Sequence, residues 1–346
     1  MAQARAGAAG AGAPGRGGGH DGRAGLRHGP GGLAMKRRLL VPFLMGQRRD
    51  GLARVCELDR HDWQVVQVDE CQATTIADRG EQMRSMGKVY GRLAAAVRDI
   101  VRAGDMPVSI SGDCVSSLGM LGGLQQAGRP PERILWLDAH GDFHTWNTSQ
   151  TRYLGGMPLA MLVGRPDRRR DNRDAIGALR SAVGVTPFPE QRIVLSDARD
   201  LDPGEAEAVA ASGLVQCEIG AILRHLSPAE RLYVHFDTDV IDAEAQMPAL
   251  KYHVKAGPSL ADMGALFRAL RGYNIVAVSV SAWHEEKDVE NRAALACLEL
   301  LRELDPVPDA AAPPDREPAP PMLRALTPEQ CTLPAPHGAW EGVSAS

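Results

Sequence analysis

No stretch of the chain approaches the roughly 18 to 20 uninterrupted apolar residues that a membrane-crossing helix needs, so a transmembrane role is not expected. An excess of charge of one sign is also missing: 39 Lys+Arg stand against 43 Asp+Glu over 346 residues, a formal −4. So small a net charge gives no bulk electrostatic reason to bind nucleic acid or an anionic membrane, and neither is expected as a partner. The cysteines Cys56, Cys71, Cys114, Cys217, Cys297 and Cys331 include no C-x-x-C pair. A disulfide scaffold and a zinc finger are therefore disfavoured, and a reducing, cytoplasmic location is expected.

Two segments have little with which to build a core. Residues 1–34 hold 12 of the 37 glycines, have Asp21 as their only acid and lack the apolar run of a secretory signal. They read as a disordered Gly/Ala-rich extension ahead of a start at Met35; a genuine tail or a transit peptide is the alternative, the latter disfavoured by the lack of amphipathic periodicity. Residues 305–346 carry 10 of the 24 prolines, which remove backbone donors and favour extended conformers, and they read as a disordered tail.

Between them, residues 35–304 alternate short apolar runs with longer helical patterns, the grammar of an α/β domain. The strand-like runs are Leu39 to Met45, Trp63 to Val68, Pro107 to Ile110, Arg133 to Leu137, Arg192 to Leu195, Arg231 to Phe236 and Ile275 to Val280. Helical patterns cover Glu81 to Arg102, Ser116 to Gln126, Pro203 to Ala211, Leu260 to Leu270 and Val289 to Leu304. Runs apolar almost throughout suit a mostly parallel, doubly wound sheet with helices on both faces.

In such a sheet, ligands bind beyond the carboxyl ends of the strands. Three of those ends are rich in chemistry: Ser111-Gly112-Asp113-Cys114, Asp138-Ala139-His140-Gly141-Asp142, and Asp237-Thr238-Asp239-Val240-Ile241-Asp242. Any one of these acids is most simply a helix cap or a solvated loop residue. Alternation on two separate strand ends is another matter, because so many carboxylates at one end of a sheet repel one another unless cations neutralise them. A metal site follows. If the segments stay extended, D-x-H-x-D and D-x-D point their ligands one way. Oxygen-rich ligation with one imidazole suits Mn²⁺ better than structural zinc.

These motifs resemble the ureohydrolase family of arginase, agmatinase and formiminoglutamase, whose members share a three-layer α/β/α fold and a dinuclear manganese centre. The family's G-G-D-H-S corresponds to Ser111-Gly112-Asp113-Cys114-Val115-Ser116, its D-A-H-x-D to Asp138 through Asp142, and its S-F-D-x-D-x-x-D-P to His235 through Ala243. The resemblance implies two Mn²⁺ ions. One would be held by Asp138, Asp142 and Asp237 with Cys114 in place of a His; the other by Asp138, His140, Asp237 and Asp239. It further implies attack of a bridging hydroxide on a guanidinium carbon. Ser149 and Thr151 would hold the α-carboxylate of a small amino-acid substrate, and Asp202 and Glu205 its α-amine. A homo-oligomer is compatible with the resemblance.

Three departures stand out. Cys114 is softer than imidazole and adds charge, which disfavours Mn²⁺ there; the alternatives are a buried bystander or a nucleophile. Gly155 stands where arginases have a His, leaving Asp142 and His144 as the candidate catalytic groups, with an idle loop residue the alternative for His144. Ala282 stands where the family has a Glu facing the guanidinium, with Glu285 and Glu286 nearby as candidate substitutes. Gly155 and Ala282 are expected to enlarge the site. Cys114 together with the segment Tyr153 to Met157 is most similar to the hydroxyarginine-hydrolase branch. The expected activity is hydrolysis of a linear C–N bond in a guanidino, hydroxyguanidino or ureido amino acid; the alternative is a non-catalytic metal-binding or oligomerising protein of the same fold.

Overall fold

A strand apolar on both faces must be covered on both faces, and that requirement sets the architecture. The computed structural model describes residues 35–69, 75–242, 252, 254–281 and 283–305; the expectations for residues 1–34, for 306–346 and for Ala282 lie outside them. The strands are β1 (Lys36–Val41), β2 (Phe43–Leu44), β3 (Gln47–Arg48), β4 (Trp63–Val65), β5 (Met106–Ser111), β6 (Arg133–Leu137), β7 (Ile193–Ser196), β8 (Val215–Cys217), β9 (Leu232–Asp237) and β10 (Ile275–Ser281). The helices are α1 (Arg54–Leu58), α2 (Arg79–Arg102), α3 (Ser117–Gln126), α4 (Pro158–Val163), α5 (Arg170–Val183), α6 (Pro203–Ala210), α7 (Leu260–Leu270) and α8 (Arg292–Glu303).

Among the described residues, eight strands form one sheet in the order β4-β1-β5-β10-β9-β6-β7-β8, and every pairing in it is parallel. The short β2 and β3 make a separate antiparallel pair. Alternation along each strand divides the core. Leu39, Val41, Ile134, Trp136 and Tyr233 pack on the side of α2, α3, α4 and α5. Leu40, Leu135, Leu137, Val234 and Phe236 pack on the side of α7 and α8. The expected three-layer α/β/α arrangement is what results.

Register decides where the strands end. Leu137 lies opposite Phe236, while Ser281 lies opposite both Asp237 and Ser111. The loops leaving β5, β10, β9 and β6, four neighbours in the sheet, therefore emerge level with one another.

Several elements differ from expectation for local reasons. The last helix begins at Arg292 and not Val289, because Glu290 and Asn291 adopt left-handed φ values of 64° and 56°. Helix α5 reads as a polar segment, yet Leu179 and Val183 give it a buried stripe. The edge strand β8 has only three residues, too few for periodicity to register.

One buried ion cluster ties the start of the sheet to its helices. The Asp59 carboxylate, with 2% of its side chain exposed, accepts from Trp63 Nε1 (3.0 Å) and faces Arg38 Nε (3.4 Å), His61 Nδ1 (3.1 Å) and Arg302 Nη2 (3.5 Å). Burial alone would raise the Asp59 pKa, but hydrogen bonds from His61 and Trp63 and the Arg38 charge outweigh it and hold the group below its usual value. We predict that Asp59→Ala leaves Arg38 buried without its partner and lowers the unfolding free energy by about 3 kcal/mol in urea at neutral pH. A depressed folded pKa stabilises above the unfolded value of about 3.9 and is lost as pH falls through the folded one. The gap between wild type and variant should therefore hold down to about pH 4 and narrow below it; a gap that stays constant well below that pH would contradict this assignment.

Candidate metal centre

The level strand ends bring Cys114, Asp138, Asp237 and Asp239 together. Cys114 follows β5 in a turn capped by Asp113, whose carboxylate accepts from Ser116 N (3.0 Å) and Tyr90 Oη (2.6 Å). Asp237 ends β9, and its Oδ1 accepts from Asp239 N (3.0 Å). Asp138 follows β6 and accepts from His140 N (2.7 Å) and Trp136 Nε1 (3.2 Å). Ligand-capable atoms lie within 4.8 Å of one another in three groups: Cys114, Asp138 and Asp237; Asp138, His140 and Asp239; and Cys114, Asp142 and His235.

Convergence is as expected from the motifs, but its geometry is not. Residues 138–142 are not extended, and Asp142 sits at φ 50°, in the left-handed region that a β-carbon resists. The start of α4 holds it there, since Asp142 O accepts from Leu159 N (2.9 Å) and Ala160 N (3.2 Å). Gly141 has a separate role: a β-carbon there would lie 2.8 Å from the Glu205 carboxylate, which accepts from Phe143 N (2.8 Å).

His235 is the group that motif reading missed. It stacks on Trp136 (ring centroids 3.9 Å apart), with Nδ1 2.7 Å from Ser279 Oγ, and burial pushes its pKa down to about 3. The available signal was the period of two on β9, which puts Tyr233, His235 and Asp237 on one face.

The electrostatics fit cations. Burial, together with the Asp138 and Asp237 charges, raises Asp142 well above the usual carboxylate range. Burial with Asp239 and Asp138 raises Asp237 likewise, and burial with Asp138 raises Asp239 to about 6. Burial would lower His140, yet Asp138 and Asp239, 3.3 and 3.2 Å from Nδ1, push it up to about 12. Asp142 is 4% exposed, and among the described residues its Oδ2 has no hydrogen-bond partner. A buried carboxylate oxygen without a donor, beside three further carboxylates, is what a divalent cation would satisfy.

On the rim, His144 is buried and not an exposed loop residue: Nδ1 lies 3.0 Å from Thr148 Oγ1, and Nε2 lies 3.3 Å from Asp202 and 3.7 Å from Glu205. Asp202 precedes Pro203 at the start of α6, but its side chain makes no capping bond. Ser149 Oγ accepts from Arg152 N (2.9 Å) and Thr151 Oγ1 from Tyr153 N (3.3 Å), so both hydroxyls shape their own loop. Glu285 and Glu286 turn to Arg49, at 2.7 and 3.1 Å. The expectation that Gly155 opens space needs correction. A β-carbon there would meet Tyr153 Cε1 at 2.2 Å, so the tyrosine ring already fills that volume.

The sequence model of the arginase family matches residues 7–305. The N(omega)-hydroxy-L-arginine amidinohydrolase of Streptomyces lavendulae is 29% identical over 222 residues, 63% of this chain and 74% of that protein. An arginase of Brevibacillus brevis is 36% identical over 124 residues, 36% of this chain and only 38% of that protein. The crystal structure of Bacillus caldovelox arginase superposes with a TM-score of 0.65 at 23% identity, covering 79% of this chain and 98% of that one.

A ligand that binds only the folded chain stabilises it, by about 2.7 kcal/mol at a hundred times its Kd. Mn²⁺, Co²⁺ or Zn²⁺ should therefore raise Tm in a thermal melt. Asp138→Ala should shrink the rise, because Asp138 belongs to two of the three groups. Absence of any rise in the wild type would argue that the carboxylates are simply protonated.

Proposed function

The chain belongs to the arginase family, and on that premise we propose that it is a manganese-type, metal-dependent hydrolase of a linear C–N bond in an α-amino acid with a hydroxyguanidino or ureido headgroup. The observation that carries this reading is the meeting of Cys114, Asp138, His140, Asp142, Asp237 and Asp239 at the ends of adjacent strands. Those side chains would hold two cations, with Asp138 shared. When bound, the ions supply water acidified enough to attack at neutral pH and positive charge to offset the oxyanion.

The protein's own groups do the rest. One carboxylate oxygen of Asp142 would bind a cation, leaving the other to take a proton from the attacking water and return it. His144 holds Nε2 between Asp202 and Glu205 and keeps the two carboxylates in place. The same two carboxylates face the position where an α-ammonium would be held. Ser149 and Thr151, on the neighbouring loop, offer hydroxyls to the α-carboxylate.

The headgroup preference comes from Tyr153. Where a proton-carrying imidazole would otherwise reach in over Gly155, the chain places a phenol that burial keeps above its usual pKa and so neutral. With Glu285 and Glu286 engaged by Arg49, the described residues offer no spare carboxylate of that pair to a fully cationic guanidinium. A less basic headgroup asks less of both. The sequence similarity to a hydroxyarginine hydrolase points the same way.

The decisive measurement is kcat/KM under identical Mn²⁺ for hydroxyarginine, arginine, agmatine and a ureido amino acid. Hydroxyarginine or the urea should exceed arginine and agmatine by about tenfold or more, as for loss of a single acid catalyst or charge contact. Arginine or agmatine in first place would refute the reading of the headgroup pocket. No turnover of any of the four, with metal bound, would favour the non-catalytic alternative.

A further inference from the structure

We propose that His235 is a ligand of the first cation, supplying through Nε2 the imidazole that Cys114 does not, so that this position is built from nitrogen, sulfur and oxygen. The inference rests on the two-cation reading above and adds a residue to it.

His235 is fully buried on β9, two residues before Asp237, and so projects from the same face of the sheet. One of its ring nitrogens, Cys114 Sγ and a carboxylate oxygen of Asp142 lie within 4.8 Å of one another. The Asp142 oxygen Oδ2 is buried and, among the described residues, has no hydrogen-bond partner.

The ring is also oriented for the task. Nδ1 lies 2.7 Å from Ser279 Oγ, which in turn lies 2.6 Å from Tyr233 Oη. With Nδ1–H donating to the serine, Nε2 keeps its lone pair on the side of Ser281, whose Oγ also lies 3.0 Å from Cys114 Sγ. A hydrogen-bonded second nitrogen of this kind is how ligating imidazoles are usually fixed. Nε2 itself has only a long contact, 3.4 Å to Ser281 Oγ, and stacking on Trp136 fixes the ring plane. Cys114 now donates its thiol hydrogen to Asp237 Oδ2 (2.7 Å); coordination would release that proton and free the carboxylate as well. Imidazole and thiolate beside carboxylates suit a borderline ion such as Zn²⁺ or Co²⁺ better than Mn²⁺. The other position, with Asp138, His140 and Asp239, has no sulfur.

The test uses the full chain loaded with Zn²⁺, read by metal analysis after dialysis and by X-ray absorption. Wild type should hold two ions, with a sulfur shell at about 2.3 Å and, averaged over the two ions, one imidazole per zinc. Cys114→Ser should lose the sulfur shell. His235→Ala should retain one ion per chain, at the position with Asp138, His140 and Asp239, so that the sulfur shell disappears while one imidazole per zinc remains. Because His235 is in the core and its truncation can destabilise the fold, Ser279→Ala is the second variant: it keeps the ring and should weaken the first position by about tenfold in a competition titration. Two ions held at wild-type affinity in both His235→Ala and Ser279→Ala would overturn the inference while leaving the two-cation reading intact. An average of only half an imidazole per zinc in the doubly loaded wild type would also overturn it. No zinc bound by wild type would sink the two-cation reading itself, and this inference with it.

Discussion

Four carboxylates, those of Asp138, Asp142, Asp237 and Asp239, are held almost out of water at the ends of neighbouring strands, and their mutual repulsion is the constraint around which the rest is arranged. Left alone, such a cluster takes up protons or pushes apart. The sheet resists the second outcome. β9 is paired on both sides, by β10 and β6, and the turns beyond the strands are fastened by side-chain caps at Asp113 and Asp237. Even the unfavourable backbone at Asp142 is held by the first amides of α4.

Beneath the carboxylates runs a buried polar strip that an apolar core would not need. Tyr233, Ser279, His235 and Ser281 form a chain across β9 and β10, and Trp136 both stacks on His235 and donates to Asp138. Hydrogen-bonded groups in a dry interior are expensive to leave half satisfied, so each fixes the next. The strip turns the stiffness of the sheet into orientation of the side chains at its edge.

How much of this could be read from sequence depends on the range of the interaction. Apolar runs ending in Asp138 and Asp237 announce themselves, because strand, turn and acid are adjacent along the chain. The burial of His144 was invisible, since its partners Asp202 and Glu205 come some 60 residues later. His235 hid for the opposite reason: it sits inside an apolar run and looks like a core residue until Trp136 and Ser279 arrive from other strands. The bend at residues 138–142 was also unreadable, because only the docking of α4 makes a left-handed Asp142 tolerable.

The contact between Tyr153 and Gly155 concerns the order in which this site can change. A β-carbon at position 155 and the present tyrosine ring claim the same volume, 2.2 Å apart. No side chain larger than hydrogen can return to position 155 while the ring stays where it is. A route from this chain to one with an imidazole at 155 must therefore pass through a smaller or displaced residue at 153, and the reverse route must empty 155 before the ring can enter. The two positions are coupled, so introducing a side chain at 155 alone tests whether the ring can move aside and not the chemistry of the residue introduced.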